Sequence, residues 1–126
     1  MDDQRKAIIK DYLMSYNNFD VSDMLKNLDE QVIFENYSDG KLNVEIKGIK
    51  AFKQQAESAK AYFESREQKV TKWTFSGDVV EIEIDYSAVL AMDFPGGMKA
   101  GDTLHMKGQS TFFFQGDKII KIQDRS

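Results

Sequence analysis

Two long runs of strictly alternating residues constrain the fold of this chain more than any other feature. The first run covers residues 79–92, and its apolar positions are Val80, Ile82, Ile84, Tyr86, Ala88, Leu90 and Met92. Because successive side chains of a strand point to opposite faces, this pattern predicts one long strand with one buried face. A strand of that length coils strongly, so the sheet that contains it is expected to be curved.

The second run covers residues 103–114 and has the same period. One face carries Leu104, Met106, Gly108, Ser110, Phe112 and Phe114. Tight turns at Ser76-Gly77-Asp78 and Gly116-Asp117 connect the two runs to an earlier strand around Trp73 and to a last strand. The second half of the chain is therefore predicted to be an antiparallel meander, with Gly108 as a candidate bending point.

Helical spacing is typical of much of the first half. A first helix is predicted to be broken by Asn17 and Asn18, a short second helix can be capped by Asp20, and a third begins at Ile49. Their apolar stripes are Ile8, Ile9, Tyr12, Leu13 and Tyr16; then Met24, Leu25 and Leu28; then Ile49, Phe52, Ala56, Ala59 and Phe63. The segment VIFENYSDG and the alternating Leu42, Val44 and Ile46 predict two strands between the second and third helices. Helices first and a meander last predict an α+β domain with helices packed on one face of the sheet.

Size and composition exclude several classes of protein. The 126 residues suit a single domain that spans 1–126 and buries its own core. The absence of cysteine excludes disulfides and thiolate chemistry and fits a cytoplasmic location, while one histidine argues against a metal site. Scattered lysines and a net charge of −4 argue against nucleic acid, and no segment has the length of a signal peptide or membrane span.

The order of the elements resembles a known family over nearly the whole chain. The segments that carry the resemblance are YNNFDVSDML, VIFENYSDG, GIKAF and FFFQGDKIIKIQD. They resemble the nuclear transport factor 2-like superfamily, and within it the SnoaL-like and ketosteroid-isomerase-like small proteins. The resemblance implies a cone-shaped half-barrel, in which a mostly antiparallel sheet wraps around an N-terminal helix group and encloses a mostly apolar cavity. It also implies a homodimer formed through the outer face of the sheet.

The resemblance indicates which side chains of the first strand face this cavity. In relatives that carry chemistry, the strand ends with an inward polar side chain at the position of Asn36. Phe34 and Asn36 are then expected to face inward, whereas Glu35 faces away with Ile33 and Tyr37.

Known chemistries of the family match this chain only in part. The oxyanion donor, base and second donor of the ketosteroid isomerases fall on Tyr12, Asn36 and Ser110. An amide cannot abstract a proton, so that mechanism is not expected in its family form. Tyr12 is either a hydrogen-bond donor or a packed core residue.

Two further branches of the family share fewer groups with the chain. Of the epoxide-hydrolase set, Asn36 and Asp124 fall on two positions, and Phe34 replaces a tyrosine. The polyketide cyclases rely on an inward acid, for which Asp124 is the nearest candidate.

Asp124 is the acid with most functional interest. Alternation places it on the cavity side with Ile120 and Ile122, where burial would raise its pKa toward neutrality. The alternative is a solvated acid near a frayed chain end. His105 and the acidic residues of the long strand are predicted to lie on the outer face, and the loop 92–101 is either a lid, an interface arm or a plain connection.

The residues thus support two hypotheses. The first is a protein that binds a small apolar molecule without a cofactor or metal, as an isomerase, cyclase or hydrolase. Its candidate catalytic residues are Asp124, Asn36 and Tyr12, and its candidate ligand-binding residues are Tyr16, Phe34, Phe52, Tyr86, Met106, Ser110, Phe112 and Ile122. The second is a noncatalytic ligand-binding or dimerisation scaffold of the same fold.

Overall fold

The structure is a computed structural model that describes residues 2–126. Its helices and strands follow the predicted order. The helices are α1 (Asp2–Asn17), α2 (Val21–Leu25) and α3 (Ile49–Ala59), and a 3₁₀ turn covers Lys60–Tyr62. The strands are β1 (Leu28–Ser38), β2 (Lys41–Lys47), β3 (Phe63–Ser76), β4 (Val79–Leu90), β5 (Thr103–Gln115) and β6 (Lys118–Arg125).

All six strands form one sheet in the order β2-β1-β6-β5-β4-β3. The first strand pairs in parallel with the last, and the other neighbouring pairs are antiparallel. Helices and sheet together confirm the predicted α+β class with a curved, mostly antiparallel sheet. The core lies where α1 meets the middle strands, and its most enclosed residues include Ile9, Val80, Ile82, Phe112 and Ile122.

The end of α1 and the start of α2 are fixed by local hydrogen bonds. The amide of Asp20 donates to the Ser15 carbonyl and that of Phe19 donates to the Tyr16 carbonyl, which is the Schellman arrangement at a helix end. The Asp20 carboxylate then accepts from the Asp23 amide at 3.0 Å, as predicted for a helix cap. Phe19 has φ 59, a left-handed conformation that usually falls to glycine.

Three predicted boundaries are wrong. Leu28 opens β1 and pairs with Ile119, because α2 ends at Leu25. Phe63 opens β3 opposite Leu90, because the 3₁₀ turn ends the helical segment before it. Met92 lies beyond β4. Each error places a helix or strand end too late along the chain, since apolar spacing continues past the point where backbone pairing changes.

The predicted inward position of Ile120 in the last strand is wrong, because a β-bulge interrupts the alternation. Phe113 pairs with Lys121, but Phe114 pairs with Ile119, so Ile120 is the extra residue. Ile119 is fully buried in the core, in the place that strict alternation assigns to Ile120. Beyond the bulge, alternation holds.

Gly108 allows β5 and β6 to approach each other closely. A Cβ atom at this position would lie 3.1 Å from the carbonyl oxygen of Arg125 and 3.7 Å from Ile84. The glycine therefore serves close packing beside the end of β6.

Arg5 ties α1 to the far end of the sheet. It is 6% exposed, and its guanidinium donates to the Gly77 carbonyl at 2.9 Å and to the Gly116 carbonyl at 3.5 Å. It also forms an ion pair with the largely exposed Asp78 at 2.8 Å. One side chain thus joins the first helix to the β3–β4 and β5–β6 turns.

We expect Arg5→Met to lower the free energy of unfolding by about 1–3 kcal/mol, because charge-assisted hydrogen bonds to two turns are lost while the apolar stem is kept. The matched variant Asp78→Asn removes only the exposed ion pair and should cost less than about 1 kcal/mol. Urea unfolding of both variants measures the difference. Equal losses in the two variants would contradict the hydrogen-bonding role of Arg5.

Candidate functional site

A cavity of about 290 Å³ lies between the helices and the inner face of the sheet. Its wall includes every residue that the sequence analysis assigned to the site: Tyr12, Tyr16, Phe34, Asn36, Phe52, Tyr86, Met106, Ser110, Phe112, Ile122 and Asp124. Met24, Ile46, Ala56, Ala59 and Ile84 add further apolar surface. The lining is thus mostly apolar, with a few polar groups.

Exposed side chains on the wall mark the mouth of the cavity. They are Gln55 on α3, Met106 and Lys107 on β5, and Arg125 and Ser126 at the end of the chain. The cavity therefore opens between α3 and the place where β6 ends beside β5. Asp124 lies just inside this mouth.

The first strand has the orientation that the resemblance implies. Phe34 and Asn36 line the cavity, while Glu35 lies on the other face of the sheet. Glu35 is nevertheless only 8% exposed, and its carboxylate accepts hydrogen bonds from Gln123 at 2.9 Å and from the Tyr37 hydroxyl at 3.1 Å. The hydrogen bond from Gln123 is the main reason that the pKa of Glu35 is lowered.

Asp124 is held beside two polar residues by strand register. Across the parallel β1–β6 pair its partner is Asn36, and across the antiparallel β5–β6 pair its partner is Ser110. The Ser110 hydroxyl donates to the Asp124 carboxylate at 2.6 Å. Asn36 in turn donates its amide to the Asn43 side chain at 2.8 Å, next to a register shift between β1 and β2.

The environment of Asp124 changes its acidity. Burial raises its pKa from 3.8 to about 6, and the Ser110 hydrogen bond opposes that rise only in part. The side chain keeps some accessible surface toward the cavity. A carboxyl group with this pKa exchanges protons near neutral pH, which is the property needed for general acid–base chemistry.

Tyr12 places a hydroxyl in the same cavity. It packs edge-on against Phe112, with ring centroids 5.8 Å apart, and it is 6% exposed. Burial raises its pKa well above the ordinary value, and the charge of Asp124 raises it further. Among residues 2–126 its hydroxyl has no hydrogen-bond partner. Since no side-chain polar atom in that range is both enclosed and unpaired, this hydroxyl keeps some accessible surface. The hydroxyl is thus protonated and open to the cavity.

Two polar residues on the wall, Arg66 and Gln68, were missed by the sequence analysis. Tyr16 and Tyr86 share a hydrogen bond of 2.9 Å between their hydroxyls, and the guanidinium of Arg66 lies over the Tyr16 ring. Arg66 and Gln68 both line the cavity from β3. Counting back from Trp73 would point Arg66 outward, but a register shift between Val70 and Lys72 reverses the parity.

Other side chains lie away from the cavity. His105 is exposed on β5 and does not line the cavity, as predicted. Glu81 accepts a hydrogen bond from Gln109 at 2.8 Å. Within residues 2–126, no group of three or more His, Asp or Glu side chains has the arrangement of a metal site, and no helix is long and apolar enough to span a bilayer.

Comparison with solved structures shows which fold this is. A candidate polyketide cyclase from Xanthomonas campestris superposes with a TM-score of 0.84 at 17% identity, over 98% of this chain and 90% of that one. A Catenulispora acidiphila protein with a ketosteroid isomerase-like fold, in complex with trimethylamine, gives 0.76 at 16% identity over 93% and 82%. A nuclear transport factor 2-like protein of unknown function from Burkholderia pseudomallei gives 0.74 at 12% identity over 96% and 88%.

These likenesses confirm the fold that the sequence analysis expected. The chain has the nuclear transport factor 2-like fold, which it shares with SnoaL-like and ketosteroid isomerase-like proteins. No protein-family model matches the chain, and no curated protein matches it by sequence. Evidence for function therefore comes from the site itself.

The raised pKa of Asp124 has a consequence for stability. The folded protein keeps its proton up to about pH 6, whereas the ordinary value is 3.8. The contribution of Asp124 to the free energy of unfolding is therefore most favourable at low pH, where the carboxyl group is protonated in both the folded and the unfolded protein. This contribution falls as the pH rises from 3.8 to about 6. Above pH 6 the loss amounts to as much as about 3 kcal/mol.

We expect Asp124→Asn to be more stable than the wild type at pH 8, by about 1–3 kcal/mol, and this difference to shrink to about a third of that value at pH 4.5. The asparagine oxygen still accepts from Ser110, but no charge has to be buried. Urea unfolding at the two pH values measures this, with Asp39→Asn in an exposed turn as the matched control. A difference between wild type and Asp124→Asn that does not change with pH would contradict the assignment.

Proposed function

We propose that this chain is an enzyme that binds a small, largely apolar molecule and transfers a proton on it, as an isomerase or cyclase does, with Asp124 as the acid–base group. The observation that carries the proposal is one carboxyl group, with its pKa raised to about 6, on the wall of an otherwise mostly apolar cavity. Perturbed carboxyl groups in such cavities are typical of acid–base sites.

The geometry supports a simple reaction. The ionised carboxylate of Asp124 takes a proton from a carbon next to a carbonyl group, and the electron pair of the broken C–H bond leaves the negative charge on the carbonyl oxygen. The Tyr12 hydroxyl donates a hydrogen bond to that oxygen, as an electrostatic stabiliser of the charge that develops. Asp124 then returns the proton to another carbon, which completes an isomerisation. In a cyclisation, the enolate carbon instead forms a bond to a second carbonyl carbon, and the proton goes to the new alkoxide.

Asn36 is assigned a binding role. Its amide neighbours Asp124 across the β1–β6 pair and is oriented by Asn43. It has hydrogen-bonding groups for a ligand but no basic group at neutral pH. The base of this site is therefore on the last strand, in contrast to the ketosteroid isomerase pattern, where it ends the first strand.

Hydrolysis is the less favoured chemistry. The inward positions of β4 are Ile82, Ile84 and Tyr86, and they supply no second carboxylate beside Asp124. The inward acids of the epoxide-hydrolase arrangement are thus incomplete, which favours proton transfer without an attacking water.

A noncatalytic ligand-binding or dimerisation scaffold is the second candidate. The observation that favours it is the amide at position 36, where the isomerase pattern has its base. The two candidates differ in one measurable property, because only the enzyme exchanges a carbon-bound proton of its ligand.

The test begins with a thermal-shift screen of steroid-like, terpenoid and polyketide-like ketones. Compounds that bind are incubated with the protein in heavy water, and deuterium uptake next to the carbonyl is followed by NMR. We expect uptake that increases with pH through about 6, as Asp124 ionises. We expect Asp124→Asn to slow the uptake by about 10²–10⁴-fold, the usual contribution of a general base.

Asp39→Asn is the control and should exchange at the wild-type rate, because this residue lies in the exposed β1–β2 turn. Binding of a ketone with equal uptake in the wild type and Asp124→Asn would rule out Asp124 as the base. Binding without uptake in any variant would favour the scaffold.

A further inference from the structure

Arg66 is a buried cation that forms no ion pair with a carboxylate among residues 2–126. It is 6% exposed, and its Nε donates to the Tyr16 carbonyl at 2.9 Å. The guanidinium carbon lies 3.6 Å from the centroid of the Tyr16 ring and 4.5 Å from that of Phe19. The salt bridges within residues 2–126 all use other cations.

These contacts use only part of what the guanidinium offers. A guanidinium carries five N–H donors, and Arg66 bonds through Nε alone. Its two terminal nitrogens make no other hydrogen bond of 3.5 Å or less among the described residues, although the cation is near enough to the Tyr16 hydroxyl to lower the pKa of that group. No side-chain nitrogen in that range is both enclosed and unpaired. These nitrogens are therefore accessible, and Arg66 lines the cavity, where a bound oxygen can meet them.

The segment that ends α1 surrounds this cation. Phe19 has the left-handed φ of 59, which costs an aromatic residue about 1–2 kcal/mol relative to glycine. Its ring contacts the guanidinium, and the same short segment supplies the Tyr16 ring and carbonyl. A fixed guanidinium loses little further freedom when it binds an oxygen ligand, which is the advantage of preorganisation.

The cation and the acid occupy separate parts of the cavity. Asp124 is on β6 and Arg66 is on β3, and the strands β5 and β4 lie between them in the sheet. Both groups act on the pKa of Tyr12, which Asp124 raises and Arg66 lowers. The Tyr12 hydroxyl thus lies within reach of both charges, with Asp124 toward the mouth and Arg66 at the end of α1.

We propose that Arg66 is an anion-binding group, and that the ligand of this cavity is a small apolar molecule with a negatively charged oxygen, such as a carboxylate, at the end away from its reacting carbon. The anion accepts hydrogen bonds from the terminal nitrogens of Arg66, and Gln68 on the same strand has an amide that can add another. This inference rests on the proposed function, since it defines the substrate class of the same site. Arg66 anchors the ligand, and Asp124 moves the proton.

The test compares two probes of the same shape and different charge. Isothermal titration calorimetry at pH 7.5 measures the binding of 2-naphthoate, a carboxylate, and of 2-naphthamide, its neutral counterpart. We expect the wild type to bind the carboxylate at least about tenfold more tightly, the smallest ratio expected for a charge-assisted hydrogen bond. No carboxylate binding at millimolar concentration, or equal affinities, would overturn the proposal.

Variants assign the preference to Arg66. Arg66→Met keeps the apolar stem and should lose the tenfold preference while still binding the amide, and Arg66→Lys should retain part of it as a point charge. A preference that survives in Arg66→Met would also overturn the proposal. If Arg66→Met does not fold, by circular dichroism, the wild-type ratio and Arg66→Lys decide.

The two proposals fail separately. Asp124→Asn should keep or increase the carboxylate preference, because it removes a negative charge from the cavity and leaves Arg66 in place. Loss of deuterium uptake in Asp124→Asn without any carboxylate preference in the wild type would leave the proton-transfer function and remove the anion site. A carboxylate preference in the wild type, together with equal deuterium uptake in the wild type and Asp124→Asn, would keep the anion site and rule out Asp124 as the base.

Discussion

The parallel pairing of the first strand with the last is the contact on which the site depends. It sets Asn36 beside Asp124, while the antiparallel β5–β6 pair sets Ser110 on the other side of the same carboxyl. Asn36 is far from the other two residues in the chain, and all three meet through sheet register. A shift of one residue in either pair would turn Asp124 to the outer face and remove the acid from the cavity.

Burial of Asp124 raises its pKa toward neutrality and also lowers the stability of the folded protein at neutral pH. The apolar surroundings that raise its pKa disfavour the charged form at neutral pH, so the folded protein gives up stability to keep a carboxylate there. Arg66 is a second example, since this buried charge lies beside the end of α1 without a carboxylate partner in the part of the chain that the structure describes. Sites that hold such groups at a cost are where function is usually found.

Much of this architecture could be predicted because most apolar positions keep one period. The stripe of α1 and the alternation of β4 and β5 identified the cavity wall from Tyr12 to Phe112, and the resemblance supplied the orientation of Asn36. Asp124 was placed correctly because it lies beyond the bulge of β6. Parity is a local argument, and it holds only as far as the next irregularity in the ladder.

Arg66 is a site residue that alternation could not place. The first half of β3 has polar residues on both faces, as in REQK at 66–69, so it has no apolar alternation to reveal a strand. The register shift that turns Arg66 inward also has no sequence signal of its own. The partners of a buried cation depend on tertiary contacts with Tyr16 and Phe19, which a single sequence does not specify.

The central claim is that the last strand holds a carboxyl group which titrates near neutrality inside a cavity. The most direct measurement is a pH titration of the Asp124 carboxyl carbon by ¹³C NMR, with its signal assigned from the spectrum of Asp124→Asn. The account predicts a midpoint at about pH 6. A midpoint near the ordinary value of 3.8 would show that the group is solvated, and it would contradict the account.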